Sequence, residues 1–337
     1  MNKEQIIEKL KAVKFPGIDN DIVSLKVITA VDAGEKISIT ITPRTEDAAK
    51  INAIKEGILA QLKDSGKEVL ITTAAAPKLT ANVNPDAKKS APNIKQVIAV
   101  ASGKGGVGKS TVAANLAYAL KKSGKEVGIL DLDFYGPNIP RLMGIYEKPM
   151  ASEDEKILPI MKDGIEILSI GFFLKEDEPL IWRGPLLNKA IEQFFFDTKW
   201  GELDYLIIDL PPGTGDVQLT MAQKININGA IIVTTPQDIA LIDVQKSINM
   251  FKTVNIPTIG IVENMSYFKC PHCGEITNLF PEGGGNKLKT KFNVPLLATL
   301  PFDPKISYNS DKGISLFESG PEDVRNSFIS IANALNK

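Results

Sequence analysis

Two cysteines lie close together near the end of this 337-residue chain, and a histidine lies between them. In "FKCPHCGE", residues 268–275, Cys270 and Cys273 are the two cysteines of the chain and His272 is its single histidine. A C-x-x-C pair places two thiolates on one side of a turn, where they can bind one metal ion or two corners of an iron–sulfur cluster. Such sites usually need four ligands, and ligation by His272 within the turn would be strained. One chain therefore supplies half of a site.

A glycine-rich stretch predicts a second site, for phosphate. "ASGKGGVGKST" follows the apolar run "VIAVAS", opens a helical pattern and fits the motif G-x-x-x-x-G-K-[ST]. Backbone N–H groups and the helix N-terminus surround the phosphates, Lys109 reaches the β and γ phosphates, and Ser110 is expected to bind Mg²⁺. The predicted nucleotide-binding residues of this loop are Gly103, Lys104, Gly105, Gly106, Val107, Gly108, Lys109, Ser110 and Thr111.

Two later apolar runs end in carboxylates. "GILDLDFYGP" contains Asp131 and Asp133, and "YLIIDLPPGTGD" places Asp209 after four apolar residues. Ligands of α/β proteins bind at the carboxyl ends of the strands. We expect Asp133 to orient or activate the attacking water, Asp131 to lie near Mg²⁺, and Asp209 to hold Mg²⁺ through a water. An Asp in this position is often only a helix cap, but three of them around one phosphate loop favour catalysis.

The pattern from residue 94 onwards predicts the fold. Short apolar runs alternate with helical segments: "VIAVAS", "VGILDLD", "IEILSIG", "YLIIDLPP", "AIIVTTP", "TIGIVENM" and "LLATLP". Near-continuous apolar strands separated by helices are typical of a parallel sheet that is covered on both faces. We therefore predict that residues 94–337 form an α/β P-loop NTPase domain with a mostly parallel sheet.

Residues 1–73 predict a separate small α+β domain in the order α-β-β-α-β. Its elements are expected at 3–14 (helix), 22–30 and 36–42 (strands), about 46–63 (helix) and "EVLITT" (strand). Residues 74–93, "AAAPKLTANVNPDAKKSAPN", have no apolar period and predict a flexible linker.

Composition and charge narrow the function classes. Lys and Arg number 39 against 40 Asp and Glu, which argues against a nucleic-acid binder by bulk charge. The N-terminus has no apolar signal region, and no apolar run approaches the roughly 20 residues that span a bilayer. Two cysteines cannot form a framework of disulfides, so we expect a cytoplasmic protein. The balanced charge and the lack of a long apolar run lead us to expect neither a nucleic acid nor a membrane as its partner.

The motif "KGGVGK" resembles the signature of the deviant P-loop ATPases. In those proteins the first lysine, here Lys104, contacts the nucleotide of the opposite subunit, which implies a homodimer. Two subunits would bring four thiolates of Cys270 and Cys273 together, the ligand set of a [4Fe–4S] cluster or of one zinc ion. The residues alone leave both possibilities open.

Several further stretches resemble the Mrp family of ApbC-type iron–sulfur cluster carriers. They are "SGKGGVGKST", "DLDFYGPNIPRLMG", "WRGP", "WGELDYLIIDLPPGTGDVQLT", "NMSYFKCPHCG", "FPEGGGNKL" and "PFDP". The first 73 residues look like the small iron–sulfur-assembly domain often fused to such proteins, but they contain no cysteine.

This resemblance implies a slow, homodimeric ATPase that binds ATP and Mg²⁺ and holds a labile [4Fe–4S] cluster between Cys270 and Cys273 of two subunits. The implied partners are assembly scaffolds as donors and apo iron–sulfur proteins as recipients. The implied catalytic residues are Lys104, Lys109, Asp133 and Asp209. In related ATPases the base is contacted from positions that correspond here to Asn264 and to Pro301–Asp303. The absence of an N-K-x-D guanine motif also favours adenine.

Two alternatives remain at this point. A MinD/ParA-type partitioning ATPase would share the P-loop and the dimer, but it would need a basic amphipathic C-terminal helix or a basic DNA-binding face. The apolar stripe Val324, Phe328, Ile331 and Leu335 of the last helix is more typical of a core helix than of a membrane anchor. A zinc-bridged dimeric ATPase with some other role is the second alternative. For the carrier, we expect switch loops at Asp133 and at 209–216 to change the geometry of the cysteines when ATP binds.

Overall fold

The computed structural model describes residues 2–16, 21–25, 27–34, 36–42, 47–73, 91, 93–174, 184–278, 280 and 284–335. The chain divides into two compact units, Met1–Thr80 and Ala81–Lys337. The predicted linker, 74–93, lies outside the described residues except at Ala91 and Asn93. The two units are described separately below.

The N-terminal unit has a three-stranded sheet and two helices, in the predicted order. Its elements are α1 (Lys3–Leu10), β1 (Ile28–Ala33), β2 (Ile37–Ile41), α2 (Ala48–Leu62) and β3 (Val69–Thr73). β2 is central, antiparallel to β1 and parallel to β3. The core is almost entirely aliphatic: Ile6, Leu10, Ile37, Ile39, Ile41, Ile54, Ile58 and Leu62 are all buried. The small α+β prediction is confirmed.

One predicted strand of this unit is wrong in position. The prediction was 22–30, whereas β1 begins at Ile28. The carboxylate of Asp21 accepts hydrogen bonds from the backbone N–H groups of Val23 (2.8 Å) and Ser24 (2.7 Å), which closes a turn here. Ile22 lies in that turn and is fully buried. Its apolar side chain therefore made the turn resemble a strand in the sequence.

The second unit contains, among its described residues, a nine-stranded sheet. The strands are β4 (Ile94–Ser102), β5 (Val127–Asp131), β6 (Ile160–Lys162), β7 (Ile165–Ser169), β8 (Leu203–Asp209), β9 (Gly229–Thr234), β10 (Thr258–Lys269), β11 (Ile276–Thr277) and β12 (Leu296–Phe302). Their order is β11-β10-β9-β4-β8-β5-β7-β6, and β12 also pairs with β10. Only β6 and β11 pair antiparallel with their neighbours in this part of the structure. The predicted mostly parallel sheet is confirmed.

Helices connect these strands. They are α3 (Lys109–Lys122), α4 (Ile139–Leu142), α5 (Gly184–Phe196), α6 (Asp216–Lys224), α7 (Asp238–Thr253), α8 (Gly284–Phe292), α9 (Pro304–Asp311), α10 (Leu316–Ser319) and α11 (Glu322–Leu335). In α11 the side chains of Val324, Phe328 and Ile331 are buried in the core of the unit. The stripe on the last helix is therefore core, as predicted. Within the described residues no helix is both long enough and apolar enough to cross a membrane.

The strand order places the predicted site residues relative to one another. β4, which leads into the phosphate loop, is central. β8 and β5, which end in Asp209 and Asp131, lie on one side of it, and β9 and β10 lie on the other. β10 continues to Lys269, so the cysteines follow this strand directly.

Candidate functional site

The phosphate loop connects the end of β4 at Ser102 to the start of α3 at Lys109. Gly108 has a φ of 82°, in the left-handed region that favours glycine. Gly103 packs so closely on α7 that a Cβ there would lie 2.5 Å from the carbonyl carbon of Asp243. Because both positions exclude a side chain, the backbone of the loop has the freedom and the space to curl around phosphates.

Lys109 is buried at the centre of the site. Its Nζ lies 2.5 Å from Oδ1 of Asp209 and 3.3 Å from Oδ2 of Asp133, and it donates a hydrogen bond of 3.3 Å to the Ser110 hydroxyl. Burial opposes the charge on the amine, but the attraction of Asp209 and Asp133 outweighs burial, so the pKa of Lys109 is raised. Lys109 is thus a buried cation bonded to two carboxylates, and an incoming phosphate would compete for it.

Asp209 is fully buried, and its two oxygens differ. Oδ1 accepts from Lys109, whereas Oδ2 has no hydrogen-bond partner among the described residues. Burial raises the pKa of this carboxyl against the attraction of Lys109. A buried carboxylate oxygen without a partner, close to the cation-binding hydroxyl expected at Ser110, fits a hydrated Mg²⁺.

Asp131 is also fully buried, but it is fully bonded. Its carboxylate accepts from the Ser169 hydroxyl (2.8 Å) and from the backbone N–H groups of Asp133 (3.0 Å) and Ile139 (3.3 Å). Burial, reinforced by repulsion from Asp209, raises the pKa of Asp131 to about 8. These contacts fix the loop that carries Asp133, so this carboxyl has a positioning contact that its place in the sequence did not reveal.

Asp133 faces the phosphate loop. Its Oδ2 contacts Lys109, and its Oδ1 accepts from the backbone N–H groups of Tyr135 and Gly136, both at 3.2 Å. Together with the loop, Asp133 lines a cavity of about 340 Å³, the phosphate cavity. The residues of the loop that line this cavity are Gly105, Gly106, Gly108, Lys109, Ser110 and Thr111.

A second cavity, the base cavity, has a volume of about 260 Å³. It adjoins the phosphate cavity and shares Gly108, Thr111 and Met265 with it. The residues expected at the base, Asn264 and Pro301, both line it. The Asn264 amide donates a 2.9 Å hydrogen bond to the carbonyl of Val107, which ties β10 to the phosphate loop. The structure therefore brings the predicted phosphate and base residues together around two connected cavities.

Lys104 is half-buried, and its Nζ donates a 2.6 Å hydrogen bond to Oε1 of Gln237 in the same chain. Gln237 occupies the N-cap position of α7, without a capping side-chain hydrogen bond. The structure describes one chain, so the expected contact of Lys104 with a partner's nucleotide remains a prediction.

The cysteine pair forms the tip of a hairpin between β10 and β11. Lys269 pairs with Ile276, the N–H of Cys270 donates to the carbonyl of Glu275, and the N–H of Gly274 donates to the carbonyl of Cys270, both at 2.9 Å. Both thiols are free, Cys270 half-buried and Cys273 exposed. Backbone N–H groups of Cys273 and His272 lower the pKa of the Cys270 thiol. This favours a thiolate, the form that binds metals.

Some residues around the cavities were not among the predicted site residues. Met265 lines both cavities, and Arg141 and Asp311, 3.3 Å apart, line the phosphate cavity from α4 and α9. None belongs to a phosphate or metal motif. Only the folding of distant segments against the loop brings them there.

Comparison with known proteins identifies the family. A family model described as "ParA: NUBPL iron-transfer P-loop NTPase" matches residues 93–336, which is most of the chain. The chain belongs to this NTPase family.

Individual relatives of this NTPase agree with the family assignment. The iron–sulfur cluster carrier protein of Aquifex aeolicus is 50% identical over 253 residues, covering 74% of this chain and 70% of the relative. The iron–sulfur cluster carrier protein of Helicobacter pylori is 39% identical over 329 residues, covering 96% of this chain and 89% of the relative. This second match extends into the N-terminal unit.

A solved structure resembles the NTPase unit. The nucleotide-binding protein of Archaeoglobus fulgidus, in complex with ADP, is 42% identical and superimposes with a TM-score of 0.60. The alignment covers 72% of this chain and 97% of that protein.

Proposed function

We propose that this protein is an ATP-hydrolysing carrier that binds an iron–sulfur cluster on Cys270 and Cys273 and transfers it to apoproteins. The observation that carries the proposal is the position of two free thiols at the end of β10, the strand that also lines the base cavity. Relatives of 50% and 39% identity that bear the name iron–sulfur cluster carrier protein support it. We place this carrier in the cytoplasm, where thiols stay reduced.

In the proposed hydrolysis, a water attacks the γ-phosphorus of ATP, the bond from that phosphorus to the β–γ bridging oxygen breaks, and ADP and phosphate leave. Lys109, now bonded to Asp209 and Asp133, turns to the β and γ phosphates and stabilises the charge there. Asp133 orients the attacking water. When bound, Mg²⁺ would neutralise charge on the phosphates, and Ser110 and the free oxygen of Asp209 are the groups that would hold it and its water.

The cluster is the cargo of the protein, and we propose that two chains share it. Among the described residues no group of three or more His, Cys, Asp or Glu side chains is arranged to hold a metal ion. Two thiolates from each of two chains complete the four ligands of a [4Fe–4S] cluster. Lys104 would then contact the nucleotide of the opposite chain, and assembly scaffolds and apo iron–sulfur proteins would be donors and recipients.

A zinc ion would accept the same four thiolates, so the first experiment must separate the two metals. Purified protein is reconstituted anaerobically with iron and sulfide, its visible absorbance and its zinc content are measured, and it is then mixed with an apo-ferredoxin. We expect a chromophore that transfers to the acceptor. Stable zinc occupancy without a chromophore would contradict the carrier.

Two variants separate the two sites of this carrier. Cys270→Ala should lose the cluster and keep nucleotide binding, because the thiol lies outside both nucleotide cavities. Lys109→Ala should lose ATP hydrolysis and cluster delivery. Loss of nucleotide binding in Cys270→Ala would contradict this two-site arrangement.

A further inference from the structure

β10 runs from the base cavity to the cysteine pair. Asn264 and Met265 line the base cavity, and the same strand ends at Lys269, next to Cys270. Asn264 is held to the phosphate loop by its bond to Val107, and it packs against Gly108. A ligand in the base cavity therefore touches the strand that carries the thiol.

This strand bends between its two functional ends. Met265 has a φ of 55°, and the pairing of β10 with β12 is irregular between Glu263 and Tyr267. A non-glycine residue with a positive φ is uncommon, and such residues cluster at functional and switching positions. Bulges also redirect the strand that follows them. The conformation at Met265 thus sets the direction of the segment that leads to Cys270.

A second segment follows the same route. Beyond the bend, Tyr267 pairs with Pro301 and Phe268 with Phe302. The stretch Pro301–Asp303 lines the base cavity on one side, and on the other it lines a cavity of about 530 Å³ that is bounded by Cys270 and Pro271. The wall of the base cavity is therefore also a wall beside the thiol.

The two carboxylates beside the phosphate loop do not follow strands that neighbour β10 in the sheet. Asp133 and Asp209 follow β5 and β8, and both β4 and β9 lie between β8 and β10. The switch loops expected to move the cysteines are thus on the far side of the phosphate loop from them.

We propose that occupation of the base cavity, rather than of the phosphate cavity, controls the accessibility of Cys270 within a single chain. The control acts through Asn264 and the Pro301–Asp303 stretch, which line the base cavity and not the phosphate cavity, and through the bend of β10 that follows Asn264. This inference rests on the nucleotide-binding part of the proposed function and names the regulation of its cysteine site. A bound base holds Asn264 and the Pro301–Asp303 stretch in one arrangement, which reduces the excursions of the strand that follows. A ligand shifts such an equilibrium only by its differential affinity for the two arrangements.

The test uses the full-length Cys273→Ser variant, in which Cys270 is the single thiol of the chain. Metal-free, reduced protein is kept at a concentration where light scattering gives the monomer. The rate of alkylation by iodoacetamide is measured without ligand and with ADP or tripolyphosphate, each at saturation determined by calorimetry. We expect ADP to slow alkylation at least about five-fold and tripolyphosphate to leave the rate unchanged.

Two results would overturn the inference: an unchanged rate at saturating ADP, or a tripolyphosphate effect as large as that of ADP. Failure of ADP to bind at all in calorimetry is a different result, which would overturn the proposed nucleotide site itself.

Met265→Gly in the same background tests the bend. ADP is titrated against this variant by calorimetry. At saturation its effect on alkylation should fall below about two-fold, because glycine makes this backbone conformation one of many. Met150→Gly, at an exposed position in a loop outside both nucleotide cavities, is the matched control and should keep the full effect. A full effect in Met265→Gly would overturn the role of the bend. If that variant fails to fold, the comparison of ADP with tripolyphosphate still decides the proposal.

Discussion

At the scale of single residues, Lys109 has a structural role besides its proposed role in phosphate binding. Its amine neutralises two buried carboxylates, Asp133 and Asp209, and Asp209 has no exposed surface. Like charges that share a buried site repel each other, and removing the cation between them exposes that repulsion. The nucleotide-free protein should therefore depend on Lys109 for stability as well as for catalysis.

We expect Lys109→Met to lower the free energy of unfolding by about 3 kcal/mol at pH 8 and by less at pH 5. Burial raises the pKa of Asp209, so the folded state favours the protonated carboxyl. Ionisation of Asp209 therefore destabilises the folded state. That destabilisation grows as the pH rises above the ordinary carboxyl range. Urea unfolding of the metal-free protein at both pH values measures the effect.

Lys104→Met is the matched control, since Lys104 is half-buried and bonds a neutral amide, that of Gln237. It should change the unfolding free energy by less than about 1 kcal/mol. Equal losses in the two variants would show that the buried carboxylates do not depend on Lys109.

The Cys270 thiol gives a second prediction at this scale. Because backbone N–H groups lower its pKa, its reactive thiolate should form at a lower pH than that of an unstructured cysteine. In Cys273→Ser, the alkylation rate plotted against pH should rise with a midpoint below the value of about 8.5 found for free cysteine. The same variant unfolded in urea is the control. Coincident midpoints would rule out an effect of the folded turn.

At the scale of elements, the phosphate loop depends on close packing against α7. A Cβ on Gly103 would lie within 2.6 Å of atoms of Asp243, whereas a Cβ on Gly105 would meet only Pro212, at 4.0 Å. We expect Gly103→Ala to lower the free energy of unfolding by about 1–3 kcal/mol through overpacking. Gly105→Ala, the matched control, should change it by a few tenths. Similar stability of the two variants in thermal unfolding would contradict this packing.

Seven of the nine strands, all but β6 and β11, were predictable because each contains a continuous apolar run, as in "YLIIDLPP" for β8 and "AIIVTTP" for β9. The second half of β10 was not. Ser266–Lys269 mixes polar and aromatic residues and is only partly buried. It is a strand because β11 and β12 pair with it after the bend at Met265, and no local pattern reports such distant pairing.

The candidate site divides in the same way. The residues proposed to bind phosphate through backbone N–H groups and a lysine follow one another in the chain, so a motif reveals them. Arg141, Ser169 and Met265 reach the site from separate segments, and their roles appear only once the chain has folded. The hydrogen bond from Ser169 to Asp131 is one example. The place of a carboxylate at the end of a strand does not reveal which residue will bond to it.

At the scale of the whole molecule, the proposed cluster site needs two chains. Each chain has two cysteines and one histidine, which is too few soft ligands for a four-coordinate cluster site. The cysteines lie at the tip of a hairpin beside β11, at one edge of the sheet, and both thiols are free. Cluster binding and dimer formation should therefore be one event.

Native mass spectrometry of the anaerobically reconstituted protein tests this most directly. The account predicts a species of two chains with one [4Fe–4S] cluster, which Cys270→Ala abolishes together with the dimer. One chain that carries its own cluster, or two chains bridged by zinc, would contradict it.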